Sequence, residues 1–170
     1  MPASPDRAIG GASALDSFLS ELRASHLGPS DVTVIGHSYG SLVVGEAAQN
    51  EHFAADNIVL VGSPGAGVEF ASQLQVAPGH VLVGANGGDK VVIGSDIAGL
   101  PKDLPGLPRQ GIFGTDPSDR SFGATRLPTG GSSAGATGSA PYLNHDYFHI
   151  GSQSLQNMAA IVAGHPGAIV

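Results

Sequence analysis

Cysteine is absent from the 170-residue chain. That one absence removes disulfides, thiolate metal sites and a cysteine nucleophile together, and it leaves the redox compartment unread. Basic residues are scarce as well. Seven Lys and Arg stand against fourteen Asp and Glu, a formal net charge of −7. The positive charges form no cluster, so nucleic-acid binding, which needs a positive surface to displace counterions, is not expected. No basic amphipathic helix points to a membrane surface. Long apolar runs are missing: none approaches the ~20 residues that span a bilayer. The opening "MPASPDRAIGG" lacks the apolar stretch of a signal peptide. The expectation is a cytoplasmic protein with no membrane span.

The chain does have the length of one domain able to bury a core, so residues 1–170 read as a single domain. An apolar fraction of 41% is ordinary for a globular protein. In "SALDSFLSELRASH", Leu15, Phe18, Leu19 and Leu22 recur at the spacing of one helical stripe. Gly28 and Pro29 then stop it. "VTVIG", "NIVLVG" and "HVLVGAN" are short runs, apolar on both sides and rich in β-branched residues, as in strands buried within a parallel sheet. Between them, "SYGSLVVGEAAQNEH" and "GVEFASQLQ" read as helices. Alternation of strand and helix with short connections predicts an α/β fold, a mostly parallel sheet of about four strands flanked by helices. "FGATRL" (122–127) is the expected fourth strand, and residues 128–141 a flexible Gly/Ser-rich loop. A last helix is expected in "GSQSLQNMAAIVAG", with Leu155, Met158, Ala159 and Val162 on one face and Gly164 ending it.

Chemistry concentrates in "GHSYG". The pattern G-x-S-x-G is weak alone, and Gly131, Ser133 and Gly135 spell it again inside the low-complexity loop. Context separates the two. A nucleophile elbow needs a buried strand ending at the first glycine and a helix beginning just past the serine. Gly36, Ser38 and Gly40 have both; the second copy has neither. A tight turn there would crowd its neighbours, which is the reason for glycine, and would set Ser38 at a helix N-terminus whose N–H groups stabilise negative charge. The competing reading is a glycine turn with an N-capping serine.

A serine hydroxyl needs a base, and the base needs an acid that fixes its tautomer. In a parallel α/β sheet these belong in loops past the carboxyl ends of later strands. Asp89 follows the third strand, with Asp96, Asp116 and Asp119 as alternatives; the last two sit in "FGTDPSD", which reads as turn chemistry. "LNHDYFHI" offers His145 and His149, of which His145 is nearer the polar loop. The i, i+4 histidines also suggest a metal site, but no third ligand is evident, and neither metal nor cofactor is expected. His37 is expected to line the pocket.

"VTVIGHSYGS", "NIVLVGSPGAG", the aspartate after "VLVGAN", "FGTDPSDRSFGATR" and "HDYF…GSQSLQNMAAIVAG" together resemble a bacterial α/β-hydrolase family of uncharacterised function. The resemblance implies a serine hydrolase with Ser38, Asp89 and His145 as its triad and Tyr39 N–H in its oxyanion hole. It further implies a small ester-like substrate. One departure is at the front. Roughly a hundred residues normally precede the elbow of such a fold, whereas 37 precede Ser38 here. The expectation is therefore the C-terminal half of the fold, N-terminally truncated, with its first strands and one oxyanion donor missing. Its "VTVI" strand would be an exposed edge that recruits another chain. The alternative is a non-catalytic remnant or interaction module.

Overall fold

The computed structural model describes residues 5–87, 89, 91–92, 110–130 and 143–169. Asp96 and nearly all of the 128–141 loop, including the second G-x-S-x-G, lie outside them. Four strands form one parallel sheet in the order β1 (Thr33–His37), β2 (Asn57–Val61), β3 (Val81–Gly84), β6 (Thr125–Arg126). Helices α1 (Pro5–Ser25) and α2 (Gly40–Ala47) cover one face, and α3 (Gln153–Val162) covers the other. A two-stranded antiparallel ribbon, β4 (Gln110–Gly111) and β5 (Gly114–Thr115), stands apart from the sheet.

The period-two rule of strands assigns the faces. Ile58 and Leu60 of β2, with Val81 and Val83 of β3, pack towards Leu19 of α1 and Val44 of α2. Val59 and Val61, with Leu82, pack towards Met158 and Ile161 of α3. Every β2 residue from Ile58 to Val61 is fully buried. That accounts for an unbroken apolar run in place of alternation.

Helix faces differ from the expected stripes. In α1 the buried positions are Ala8, Ala12 and Leu19, with Leu15 half-buried, while Phe18 and Leu22 point outward. The helix begins well before "SALDSF", and Gly11 explains why small residues are used there. A Cβ at Gly11 would sit 3.2 Å from Val43 Cγ1, so α1 lies close against α2. In α3 the buried face is Ser154, Asn157, Met158 and Ile161, and Val162 is exposed. The expected "GVEFASQLQ" helix is only a 3-10 turn, Ala71–Gln73. There the Gln73 side chain accepts from Glu69 N and Phe70 N at 2.8 and 2.9 Å. The fourth strand shrinks to Thr125–Arg126 because the chain before it winds into a 3-10 turn capped by Asp119 and closed by Gly123 at φ +84.

Parallel register sets the functional end of the sheet. His37 is opposite Val61, and Val61 is opposite Gly84. The loops that begin at Ser38, Gly62 and Ala85 therefore leave side by side from the carboxyl ends of three strands. β1 pairs only with β2, so among the described residues its outer side is an edge. No described helix is long and apolar enough to cross a membrane.

Candidate active site

Ser38 follows β1 directly and has φ +55, alone among the described non-glycine residues in adopting a positive value. Such a conformation costs about 1–3 kcal/mol and persists only where the surroundings impose it. They do so here. Ser38 N donates to Val61 O at 3.0 Å, tying the turn to β2, and Ser41 N donates back to Ser38 O at 3.0 Å as α2 begins. Ser41 Oγ donates to Gly36 O at 3.2 Å. A Cβ at Gly36 would lie 2.9 Å from Ser41 Cα, so the returning helix requires glycine at that position. The crowding expected of both motif glycines applies to Gly36 alone, because Gly40 faces open space.

Asp89 and His145 are brought together from residues 56 positions apart. His145 Nδ1 lies 2.9 Å from Asp89 Oδ2 and 3.1 Å from Oδ1. A carboxylate only accepts, so Nδ1 carries the proton and Nε2 has the lone pair in the neutral ring. His145 Nε2 is buried and has no hydrogen-bond partner. It is thus the ring nitrogen left without a hydrogen bond. The ring rests on Gly62, where a Cβ would come within 2.7 Å of His145 Cε1 and of Tyr147 Cε2. Gly62 itself has φ +58, a second reason for glycine after β2.

His37 packs against the His145 segment. Its Nε2 lies 3.1 Å from the His145 carbonyl oxygen, to which it must donate, and the two rings are 4.6 Å apart. Burial holds His37 below the ordinary histidine range, partly offset by that backbone hydrogen bond, with nearby His145 lowering it further. Tyr39 is half-buried, edge-on to Phe113 at 6.0 Å between ring centroids. Phe113 stands at the tip of the β4–β5 ribbon, anchored by Gly67 N donating to Phe113 O at 2.8 Å.

The other candidates are placed elsewhere in the chemistry. Asp116 accepts from Ser118 N at 2.8 Å, and Asp119 accepts from Ser121 N and Oγ at 2.8 Å, both as turn-forming carboxylates. His149 is exposed and its carbonyl accepts from Ser152 N. Among the described residues, no group of three or more acidic or histidine side chains could hold a metal ion. Sequence reasoning missed Tyr147. It is fully buried, donates its hydroxyl to Asp89 Oδ2 at 2.7 Å and accepts from Asn86 N at 2.9 Å. An aromatic beside a histidine reads as core, and only its polar tip, invisible in a pattern, sets it apart.

A strand–turn–helix with a strained serine, and a buried Asp–His pair at the same sheet end, narrow the families to be considered. A family described as alpha/beta hydrolase matches residues 2–98. The chain is an alpha/beta hydrolase. The matched span includes Ser38 and Asp89 but stops before His145. This alpha/beta hydrolase is also 34% identical to the uncharacterized protein Rv2079 of Mycobacterium tuberculosis, over 95% of the chain and 26% of that protein. It is 40% identical to the uncharacterized protein Mb0988c of Mycobacterium bovis over 45% of the chain and 30% of that protein. The chain spans about a quarter of the length of the first of these relatives. No solved structure matches it significantly.

Proposed function

We propose that this alpha/beta hydrolase is a serine hydrolase that works by acyl transfer on carboxylic esters. The observation that carries the proposal is the buried Asp89–His145 pair, whose unpartnered Nε2 stands at the sheet end where Ser38 is held at φ +55. Ser38 Oγ attacks the ester carbonyl as His145 Nε2 takes its proton. Asp89 keeps Nδ1 protonated and stabilises the imidazolium. The tetrahedral oxyanion is received at the N-terminus of α2, with Tyr39 N–H as a donor. His145 then protonates the leaving alcohol, and water, deprotonated by the same nitrogen, releases the acyl group. Tyr39, next in the chain to Ser38, packs edge-on against Phe113, an aromatic pair that would suit an apolar acyl or alcohol group. Catalytic hydrogen bonds are often unmade until substrate binds, which is consistent with an unpartnered Nε2.

The test is hydrolysis of p-nitrophenyl esters of graded acyl length by the wild type and Ser38→Ala. Turnover that Ser38→Ala abolishes is the expected result. Equal turnover by both proteins refutes the proposal. No turnover by either, with the fold intact, favours a non-catalytic interaction module.

A second reading concerns association. Among the described residues β1 is an edge strand with Val34 and Ile35 only half-buried, and strand edges recruit other strands. We propose that a second copy of the chain pairs there. Light scattering after size exclusion should give a dimer mass, and a clean monomer at high concentration contradicts it.

A further inference from the structure

We propose that Tyr147 is a positioning residue that tunes the candidate acid–base pair: its hydroxyl holds Asp89 and draws charge from the oxygen that faces His145. This rests on the reading of Ser38, His145 and Asp89 as a triad. Asp89 Oδ2 has two donors, His145 Nδ1 at 2.9 Å and Tyr147 Oη at 2.7 Å. Oδ1 accepts from Val91 N at 2.9 Å and is 3.1 Å from His145 Nδ1. Asp89 is completely buried, so bulk solvent does not compete with these donors.

Tyr147 is locked for this task. Asn86 N donates to its hydroxyl at 2.9 Å, so the phenolic proton has only the carboxylate to go to. Its backbone is fixed as well, with Ser154 Oγ of α3 donating to Tyr147 O at 2.6 Å. Burial raises the phenol well above its ordinary range, and hydrogen bonding to Asp89 raises it further, so it remains a donor at every working pH. The Tyr147 ring also packs on Gly62 beside the imidazole, 6.1 Å from it between centroids.

The consequence follows from sharing one anion between two donors. Charge that Asp89 gives to the phenol is not available to stabilise the imidazolium of His145. Tyr147 thus limits how far the carboxylate can stabilise an imidazolium at His145. The His37 ring on β1 is 4.6 Å away, and Asp146, next in the chain to His145, acts on His37. Asp116 acts on Tyr147 from the β5 side. Tyr147→Phe leaves the His37 and Asp146 neighbours in place; besides the bond to Asp89 it removes the acceptor of Asn86 N.

The experiment is a histidine titration by long-range proton–nitrogen NMR on the whole protein, with His145 assigned from the spectrum of His145→Gln. Tyr147→Phe should raise the titration midpoint of His145, by at most about one to two units if the full size of a hydrogen bond to a charged acceptor is passed on. Replacing Tyr147 by 3,5-difluorotyrosine, a stronger donor of nearly the same shape, should lower it. A midpoint that stays put or falls in Tyr147→Phe, with the Nδ1 proton still bound to Asp89, overturns the proposal. If Tyr147→Phe does not fold, the difluorotyrosine protein decides alone, and an unchanged or raised midpoint there overturns it. The titration needs no turnover, so a failed hydrolase reading would appear in the ester assay and leave this result separate.

Discussion

Gly62→Ala perturbs the candidate base without removing a polar atom. The new methyl would lie 2.7 Å from both His145 Cε1 and Tyr147 Cε2, and 2.9 Å from His145 Nδ1. Carbon atoms in contact prefer about 3.5–4.0 Å, so the two rings must retreat by roughly 1 Å. Backbone relaxation is a poor escape, because φ +58 at this position is itself unfavourable for alanine by about 1–2 kcal/mol. Two effects are expected. The melting temperature should fall by several degrees, at about 2–4 °C per kcal/mol for a chain of this size. Reactivity at Ser38 should fall by about a hundredfold, the usual cost of a 1 Å misplacement of a catalytic group. The assay is the second-order rate of labelling by a fluorophosphonate, followed by intact-protein mass, alongside thermal unfolding. A labelling rate within about threefold of wild type, in protein with native circular dichroism, would refute the reasoning that this glycine seats the base.

Three further predictions address other parts of the molecule. His37 titrates below its ordinary 6.5 because it is buried, so the unfolded chain binds more protons than the folded one as pH drops through 6.5. Its stabilising contribution is complete above that pH and is lost below it; urea unfolding at pH 7.5 and 5 should show a smaller acid loss in His37→Gln than in wild type. Asp56→Ala removes the carboxylate that accepts from Val32 N at 2.7 Å and pairs with Arg23, whose Nη1 donates to Ser30 O at 2.6 Å. Both side chains are partly exposed, so the expected cost is about 1–2 kcal/mol, read as a lowered urea midpoint with an unchanged slope. Gly10→Ala fills open space in the interior of α1 and should stabilise by up to about 1 kcal/mol, read as a raised melting temperature.

What was legible in the sequence follows from how local each determinant is. β1, β2 and β3 were readable because strands buried on both faces must be apolar throughout, and "NIVLV" could be little else. That Asp89 and His145 lie together was readable because a parallel sheet sends successive loops to the same end. The faces of α1 and α3 were not, since small residues such as Ala8, Ala12 and Ser154 are the ones pressed inward. Apolar periodicity weights Phe18, Leu22 and Val162, which this fold leaves exposed. The short helix after β2 failed for a related reason: Gln73 turns its side chain onto the backbone and ends the turn, a choice no periodicity encodes. Tyr147 and the backbone clamp by His37 depend on contacts across 58 and 108 residues, and long-range polar pairing leaves no trace in a local pattern.

Ser38 is the proposed nucleophile, and one measurement addresses that proposal most directly. Whole protein is treated with an active-site-directed fluorophosphonate, digested, and the adduct located by peptide mass spectrometry. A single adduct on Ser38, absent from Ser38→Ala and strongly slowed in Asp89→Asn, is the predicted result. A folded protein that takes no label, or that is labelled equally well without the Ser38 hydroxyl, would contradict it.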